Sequence, residues 1–166
     1  MFVAMFLALA ISQSASTTEA STFSDGPLQI SAAHLATSFR TPEGTDTKLW
    51  TCDAAGESTI QYGDIQATAD SLSVSQTDLL RHQFSLRGSA RLSIRNLSAK
   101  ADKISWSMDD RPMVLSGNAT ITLGVDGKLT TVSSEKIVFD HSENKLILAD
   151  GTIRGLPVSK VHALSN

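Results

Sequence analysis

The stretch that decides the fold is DKISWSMDDRPMVLSGNATITL, residues 102–123. Its apolar side chains occupy alternate positions from Ile104 to Met108 and, after a polar turn, again from Ala119 to Leu123. A period of two is typical of a β-strand with one apolar and one polar face, whereas an amphipathic helix repeats every 3.6 residues. The stretch therefore predicts two antiparallel strands joined by a turn, with Gly117 interrupting the second strand.

A similar phrase occurs up to four times along the chain, at a period of roughly 33 residues. The copies begin with AAHLATSF (32–39), ADSLSVSQ (69–76), ADKISWSM (101–108) and SEKIVFDH (134–141). Each copy contains an aliphatic anchor, and these anchors are Leu35, Leu72, Ile104 and Ile137. Each is followed by a second strand with a glycine, namely Gly56, Gly88, Gly117 and Gly151. A glycine inside a strand predicts a bulge or a bend of the sheet.

Turn signals separate the predicted strands. Asp126-Gly127 is a strong hairpin signal, and residues 41–44 (TPEG), 109–112 (DDRP) and 141–145 (HSENK) also predict turns. No convincing helical pattern follows the first residues. A meander of short strands with periodic bends predicts an all-β domain folded over on itself, either a jelly roll or a solenoid-like groove.

Composition narrows the class of protein. The 166 residues are 41% hydrophobic and 19% charged, with a formal net charge of −3, which disfavours both a disordered chain and a nucleic-acid-binding protein. Residues 1–20 contain an apolar run, Phe2 to Ile11, followed by small polar residues, and this pattern predicts a secretory signal peptide. We expect the folded domain to occupy residues 28–163. Cys52 is the only cysteine, so no internal disulfide forms, and its alternating neighbourhood predicts a buried thiol.

The repeated phrase resembles that of the OstA-like (LptA) family of lipopolysaccharide transport proteins. The clearest copy is ADKI (101–104) followed by LSGNATI (115–121); the phrase recurs in Ala69-Asp70 with LRGSA (86–90) and, more weakly, in Ser134-Glu135 with ADG (149–151). The resemblance covers about residues 30–160. It implies a twisted antiparallel β-jellyroll, open at both ends, whose apolar interior receives the acyl chains of lipopolysaccharide. It also implies a periplasmic protein without catalytic activity or cofactor that stacks edge to edge with other jellyroll proteins.

Alternating strands of a folded sheet would line such an interior with their apolar faces. The predicted lining residues are Leu72, Val74, Phe84, Leu86, Leu92, Ile94, Ile104, Trp106, Met108, Met113, Leu115, Ile121, Leu123, Ile137, Phe139, Leu146 and Leu148. The same alternation also describes a dry sandwich core, and this alternative stays open at the level of sequence. If lipid is bound, charged substitutions at Ile104 or Ile121 are expected to abolish its uptake while the sheet survives.

No catalytic or metal-binding pattern emerges. The four histidines, His34, His82, His141 and His162, lack metal-ligand spacing. Residues 140–142 (DHS) are too close in sequence to form a catalytic relay. Asp70 and Asp102 precede strand anchors in two copies, which favours a shared structural position at a strand start or turn over paired catalytic carboxylates. Arg87, Arg91 and Arg95 are expected on the solvated face of one continuous strand, where they could also meet lipid phosphates.

The leading hypothesis is a periplasmic, non-enzymatic jellyroll that binds lipopolysaccharide or a related glycolipid and passes it along a protein bridge to the outer membrane. Its expected partners are that glycolipid and other jellyroll proteins, stacked through edge strands, and a homo-oligomer is possible. Neither nucleic acid nor a cofactor is expected. The alternative is a structural β-repeat module that assembles with itself or with surface proteins. An enzyme on a jelly-roll scaffold is disfavoured because no convergent polar site is present.

Overall fold

The computed structural model describes residues 20–78, 81–108, 111–125, 128–140, 142–143, 145–148 and 151–154, and all regular structure in these residues is β-strand. The strands are β1 (Ser21–Asp25), β2 (Leu28–Ala32), β3 (His34–Arg40), β4 (Leu49–Tyr62), β5 (Ile65–Asp78), β6 (Arg81–Ile94), β7 (Leu97–Ser107), β8 (Met113–Val125), β9 (Lys128–Asp140), β10 (Lys145–Leu148) and β11 (Gly151–Arg154). The predicted all-β class is confirmed. The predicted signal peptide lies outside the described residues, apart from Ala20.

All eleven strands belong to one antiparallel sheet, which is not closed into a barrel. Its order follows the chain from β1 and β2 through β4 to β11, with β3 paired to β4 off this path. β2 pairs with one half of β4 and β3 pairs with the other half, so β2 and β3 together act as one long strand that bends between them. The strand β1 begins before residue 28 and pairs with β2, a hairpin that the sequence pattern did not reveal.

The long strands bend at the glycines of the repeat. Gly56, Gly88 and Gly117 have φ values of 76°, 72° and 74°, and the residue after each of them also has positive φ. Glycine adopts this region without steric cost, because it has no Cβ. Register shifts occur at the same points in the β4–β5, β6–β7 and β8–β9 pairs, so each bend is a β-bulge that continues from strand to strand. The predicted bends are confirmed at these three glycines.

The fourth copy of the repeat differs. β10 ends at Leu148, β11 begins at Gly151, and these two residues pair with each other. Gly151 therefore follows a hairpin connection rather than lying at a bend within one continuous strand. The glycine of this copy opens the strand β11 and does not interrupt a longer strand.

The two halves of the bent sheet fold toward each other over their apolar faces. The rings of Tyr62 and His82, from opposite sides of the bend, lie 6.2 Å apart, and those of Phe23 and Trp50 lie 4.8 Å apart. The buried apolar side chains of both halves form a single cluster. This arrangement is consistent with the predicted jellyroll.

The connections lie where the turn signals placed them. Val125 pairs with Lys128 across the predicted Asp126-Gly127 hairpin, whose two residues are outside the described part of the chain. Between β3 and β4, the Thr45 N–H donates to the Pro42 carbonyl (3.3 Å). The other two turn signals fall between β7 and β8 and between β9 and β10.

Candidate functional site

The predicted lining residues all face the interior of the folded sheet. All of them are buried except Met108 and Leu148, which are partly buried and pack against the same cluster. The structure thus brings the whole set together in one apolar interior. Whether that interior binds lipid stays a prediction.

The repeat anchors share one line across the sheet. The strand register aligns eight side chains, which we call the anchor row: Leu35, Ala54, Leu72, Leu86, Ile104, Leu115, Ile137 and Leu148. Neighbouring strands lie about 4.8 Å apart, so a row that crosses eight strands extends for about 34 Å. The sequence repeat therefore builds a continuous apolar strip perpendicular to the strands.

A second apolar row lies on the other side of the bend. Its members are Phe23, Ile30, Ile60, Ala67, Leu92, Ala99, Ile121 and Val132. Several of these residues were absent from the predicted lining, as were the buried Leu28, Trp50 and Leu97. The alternation of Leu28 and Ile30 could have predicted the strand β2. Buried alanines are harder to predict, because alanine is only weakly apolar and is common on both faces of a strand.

The interior is closely packed. Phe84, Leu86, Ile104, Leu115, Ile121 and Ile137 are 0% exposed. The rings of Phe84 and Trp106 stack with centroids 4.2 Å apart and planes 6° from parallel. A shallow groove of about 240 Å³ lies elsewhere, on the outer face of β5, β6 and β7, beside Thr68, Arg91 and Lys100. An acyl chain could enter the interior only if the packed side chains moved apart.

Polar side chains collect along the free rim of the fold, where the strands end opposite the bend. Gln76, His82 and Ser107 are buried there, at 4–6% exposure. The His82 carbonyl accepts the Met108 N–H at 3.0 Å, which joins the ends of β6 and β7. Met108 itself is partly exposed. The interior is therefore mainly apolar, with buried polar side chains at the rim and one more, Ser58, beside the first bend.

His82 has an unusual environment at this rim. Its Nε2 lies 3.8 Å from Asp25 Oδ2, beyond hydrogen-bond distance, and neither ring nitrogen has a hydrogen-bond partner among the described residues. The Asp25 carboxylate instead accepts the Trp50 indole N–H at 2.8 Å. Burial lowers the pKa of His82 below its ordinary 6.5, and the negative charges of Asp25 and Asp78 only partly oppose this shift.

This burial predicts an acid-sensitive fold. A histidine whose pKa is lowered by folding takes up protons more readily in the unfolded chain, so stability falls as the pH drops below about 6.5. We expect the midpoint of urea unfolding to fall between pH 7.5 and pH 5, and His82→Phe to reduce that dependence. The same substitution at exposed His34 is the matched control. An unchanged pH dependence in His82→Phe would contradict the assignment.

The sequence also matches the model of a known protein family. A family model described as LptA/(LptD N-terminal domain) LPS transport protein matches residues 45–145, which is more than half of the chain. The chain belongs to this family. No curated protein matches it significantly. The family resemblance inferred from the repeat is thereby confirmed, and the match supports a β-structure related to lipopolysaccharide transport.

The family is in general periplasmic and non-enzymatic. Within the part of the chain that the structure describes, no helix is long and apolar enough to cross a membrane. The same residues contain no group of three or more metal-ligating side chains. His141 and His162 lie outside them, and His34 and His82 are on different strands.

The acids that recur in the repeat, Asp70 and Asp102, lie beside the bends of the sheet. Asp70 lies against Gly88 and Asp102 lies against Gly117, so close that a Cβ on either glycine would overlap the carboxylate. Asn118 Nδ2 donates to Asp102 Oδ2 at 3.2 Å. Ala33 takes the corresponding place beside Gly56 in the first copy. The acids therefore share a structural position, as predicted, but they pack against the bends inside β5 and β7 and do not lie at a strand start or turn.

Two further polar features have structural explanations. Asp140 Oδ1 accepts the Ser142 hydroxyl at 2.7 Å and the Ser142 and Glu143 N–H groups, which is a turn and not a catalytic relay; His141 lies outside the described residues. Arg95 was expected on the face of β6 beside Arg87 and Arg91, which is wrong. It lies in the two-residue turn after Ile94 and pairs with Asp64 at 2.7 Å, because the strand pairing ends at Ile94 and Leu97.

Cys52 is fully buried in β4, and Thr37 of the neighbouring strand β3 is its cross-strand partner. Burial raises the pKa of its thiol, a hydrogen bond from Thr37 opposes the shift, and the charge of Asp53 adds to it. The predicted buried thiol is confirmed, and a thiol with a raised pKa is a poor nucleophile at neutral pH.

Proposed function

We propose that this protein binds the acyl chains of lipopolysaccharide, or of a related glycolipid, in the interior of its folded sheet. The carrying observation is the anchor row, an apolar strip that crosses eight strands in a member of a lipopolysaccharide transport family. A long acyl chain needs such a continuous apolar surface, whereas a short ligand needs only one pocket. The seventeen residues predicted from sequence are the proposed lipid contacts.

In this proposal the protein is one component of a bridge through the periplasm to the outer membrane. β3 supports an edge-to-edge assembly, because among the described strands it pairs only with β4. Its side chains are largely exposed, with Phe39 at 67%. An unpaired strand edge is a template for a strand from another chain, so the partner is another jellyroll protein or a second copy.

The alternative function is a structural β-repeat module that assembles through the same edges and binds no lipid. The close packing of the interior favours this alternative, because a dry core needs no ligand. The two functions differ in whether the folded protein takes up acyl chains.

The test is photo-crosslinking of delipidated full-length protein with a monoacylglycerol that carries a diazirine on its acyl chain. We expect labelling of inward-facing residues, competition by intact lipopolysaccharide and no competition by deacylated lipopolysaccharide. Met108→Asp should reduce labelling about tenfold, because a charge would then border the apolar interior at a position exposed enough to spare the fold.

Ser98→Asp is the matched control for Met108→Asp. Ser98 lies on the same strand, β7, but its side chain is exposed on the outer face. Folded protein that takes up no probe at all would overturn the transport function and leave the structural module.

A further inference from the structure

The indole ring of Trp106 carries a buried hydrogen-bond donor, which a dry core would leave unpaired. The indole Nε1 of Trp106 is buried and has no hydrogen-bond partner among the described residues, although the side chain is only 3% exposed. An indole N–H is a donor and never an acceptor, and a buried donor left unpaired is costly. Buried polar groups in native proteins are nearly always satisfied by protein, water or ligand. The missing partner of Trp106 is therefore an acceptor.

The other tryptophan shows how this chain satisfies an indole when no ligand is involved. Trp50 Nε1 donates to the Asp25 carboxylate at 2.8 Å, although Trp50 is also only 5% exposed. Trp106, in contrast, stacks its ring on Phe84 and has apolar neighbours in its row. Both tryptophans are thus buried, but among the described residues only the indole N–H of Trp50 has a hydrogen-bond partner.

The position of Trp106 also suits an amphiphile. It lies between the bend, marked by Asp102, and the polar rim, where Ser107, Met108 and His82 are found. The next inward-facing residue of β7 toward the bend is Ile104. It belongs to the anchor row and is 0% exposed. A bound lipid whose hydrocarbon starts at the anchor row and turns toward the rim along β7 would place its first polar atoms near Trp106.

We infer that the Trp106 indole N–H is a subsite for the carbonyl oxygen of a bound acyl chain, in an ester or an amide. The inference rests on the proposed function and adds the chemical group that the interior recognises. A carbonyl oxygen is an acceptor with two lone pairs, so it satisfies the Trp106 donor. Among the described residues, Ser58 Oγ and the His82 ring nitrogens are also buried without a hydrogen-bond partner, but neither of these residues is in the predicted lining. A plain hydrocarbon or an ether lacks this strong acceptor.

The test compares two probes that differ only in the carbonyl group: 1-monolauroylglycerol, an ester, and 1-O-dodecylglycerol, an ether. Both are titrated into the full-length protein below their aggregation limits, and binding is followed by NMR. We expect the wild type to bind the ester about tenfold more tightly, since the ether leaves the buried N–H unpaired. Trp106→Phe keeps a planar ring against Phe84 and should reduce this preference to about one.

Trp50→Phe is the matched control, because its indole N–H already has a partner in the protein, and it should keep the preference for the ester. Equal binding of the two probes by the wild type would overturn the subsite and leave acyl binding intact. Binding of neither probe would overturn the proposed function itself. If Trp106→Phe does not fold, the wild-type indole resonances decide: the Trp106 N–H signal must shift downfield with the ester and not with the ether.

Discussion

Replacing Gly117 by alanine is expected to lower the free energy of unfolding by about 3–4 kcal/mol, because two costs combine. Gly117 has a φ of 74°, where a side chain costs about 1–2 kcal/mol. The new Cβ would also lie 2.8 Å from the Cβ and Cγ of Asp102, so the strand carrying that residue would have to move. Urea denaturation followed by circular dichroism measures the loss.

Gly44→Ala separates these two costs. Gly44 has nearly the same φ, 76°, but no atom lies within 4 Å of a Cβ built there. Gly44→Ala should lose only the conformational cost, about 1–2 kcal/mol. A second substitution, Asp102→Gly, removes the colliding atoms and should recover much of the loss in Gly117→Ala. Equal costs at Gly44 and Gly117 would show that the packing of the acid against the bend imposes no constraint.

The three bends were predictable because each is marked by a glycine in the sequence. A glycine interrupts an alternating strand at Gly56, Gly88 and Gly117, and an acid or alanine recurs at the facing position. The same logic failed at Gly151, which pairs with Leu148 at the start of β11, because an alternating pattern does not separate a bend within one strand from the start of a new strand. Arg95 was misplaced for a related reason, because a two-residue turn without glycine gives little signal in an alternating run.

Other features depend on contacts that alternation does not encode. The strand β1 has one inward apolar side chain, Phe23, in a segment rich in serine and threonine, and its position depends on pairing with β2. The bulges also change which positions face inward: Asp102 and Lys103 are consecutive and both exposed, so the strict period of two breaks there. The seventeen predicted residues face the interior, whereas other inward residues, such as Leu28, Trp50 and Leu97, and the degree of burial of the whole set were not predicted.

That burial changes the expected effect of a charge in the interior. Ile121→Asp is expected to unfold the protein at neutral pH, although the sequence alone suggested that the sheet would survive. Ile121 is 0% exposed, and its cross-strand partners are Ala99 and Val132. The substitution forfeits about 1.5–3 kcal/mol of apolar burial and leaves an unpaired carboxylate that costs several kcal/mol more. The sum approaches the whole stability of an ordinary domain, about 5–15 kcal/mol.

Ser98→Asp is again the control, since Ser98 precedes Ala99 in β7 but is exposed, and it should change stability by no more than about 0.5 kcal/mol. Circular dichroism and urea denaturation at pH 7 distinguish the two variants. A folded Ile121→Asp protein would mean that water reaches the interior in the absence of lipid.

Unfolding of Ile121→Asp, in contrast, would mean that the empty interior is dry and that lipid enters by displacing contacts between side chains. A ligand that binds only the folded state then raises stability in proportion to the logarithm of its concentration above the dissociation constant. Loading with acyl probe should therefore raise the urea midpoint of the wild type. The same loading should not rescue Ile121→Asp, because the buried carboxylate would face the acyl chain instead of Val132 and Ala99.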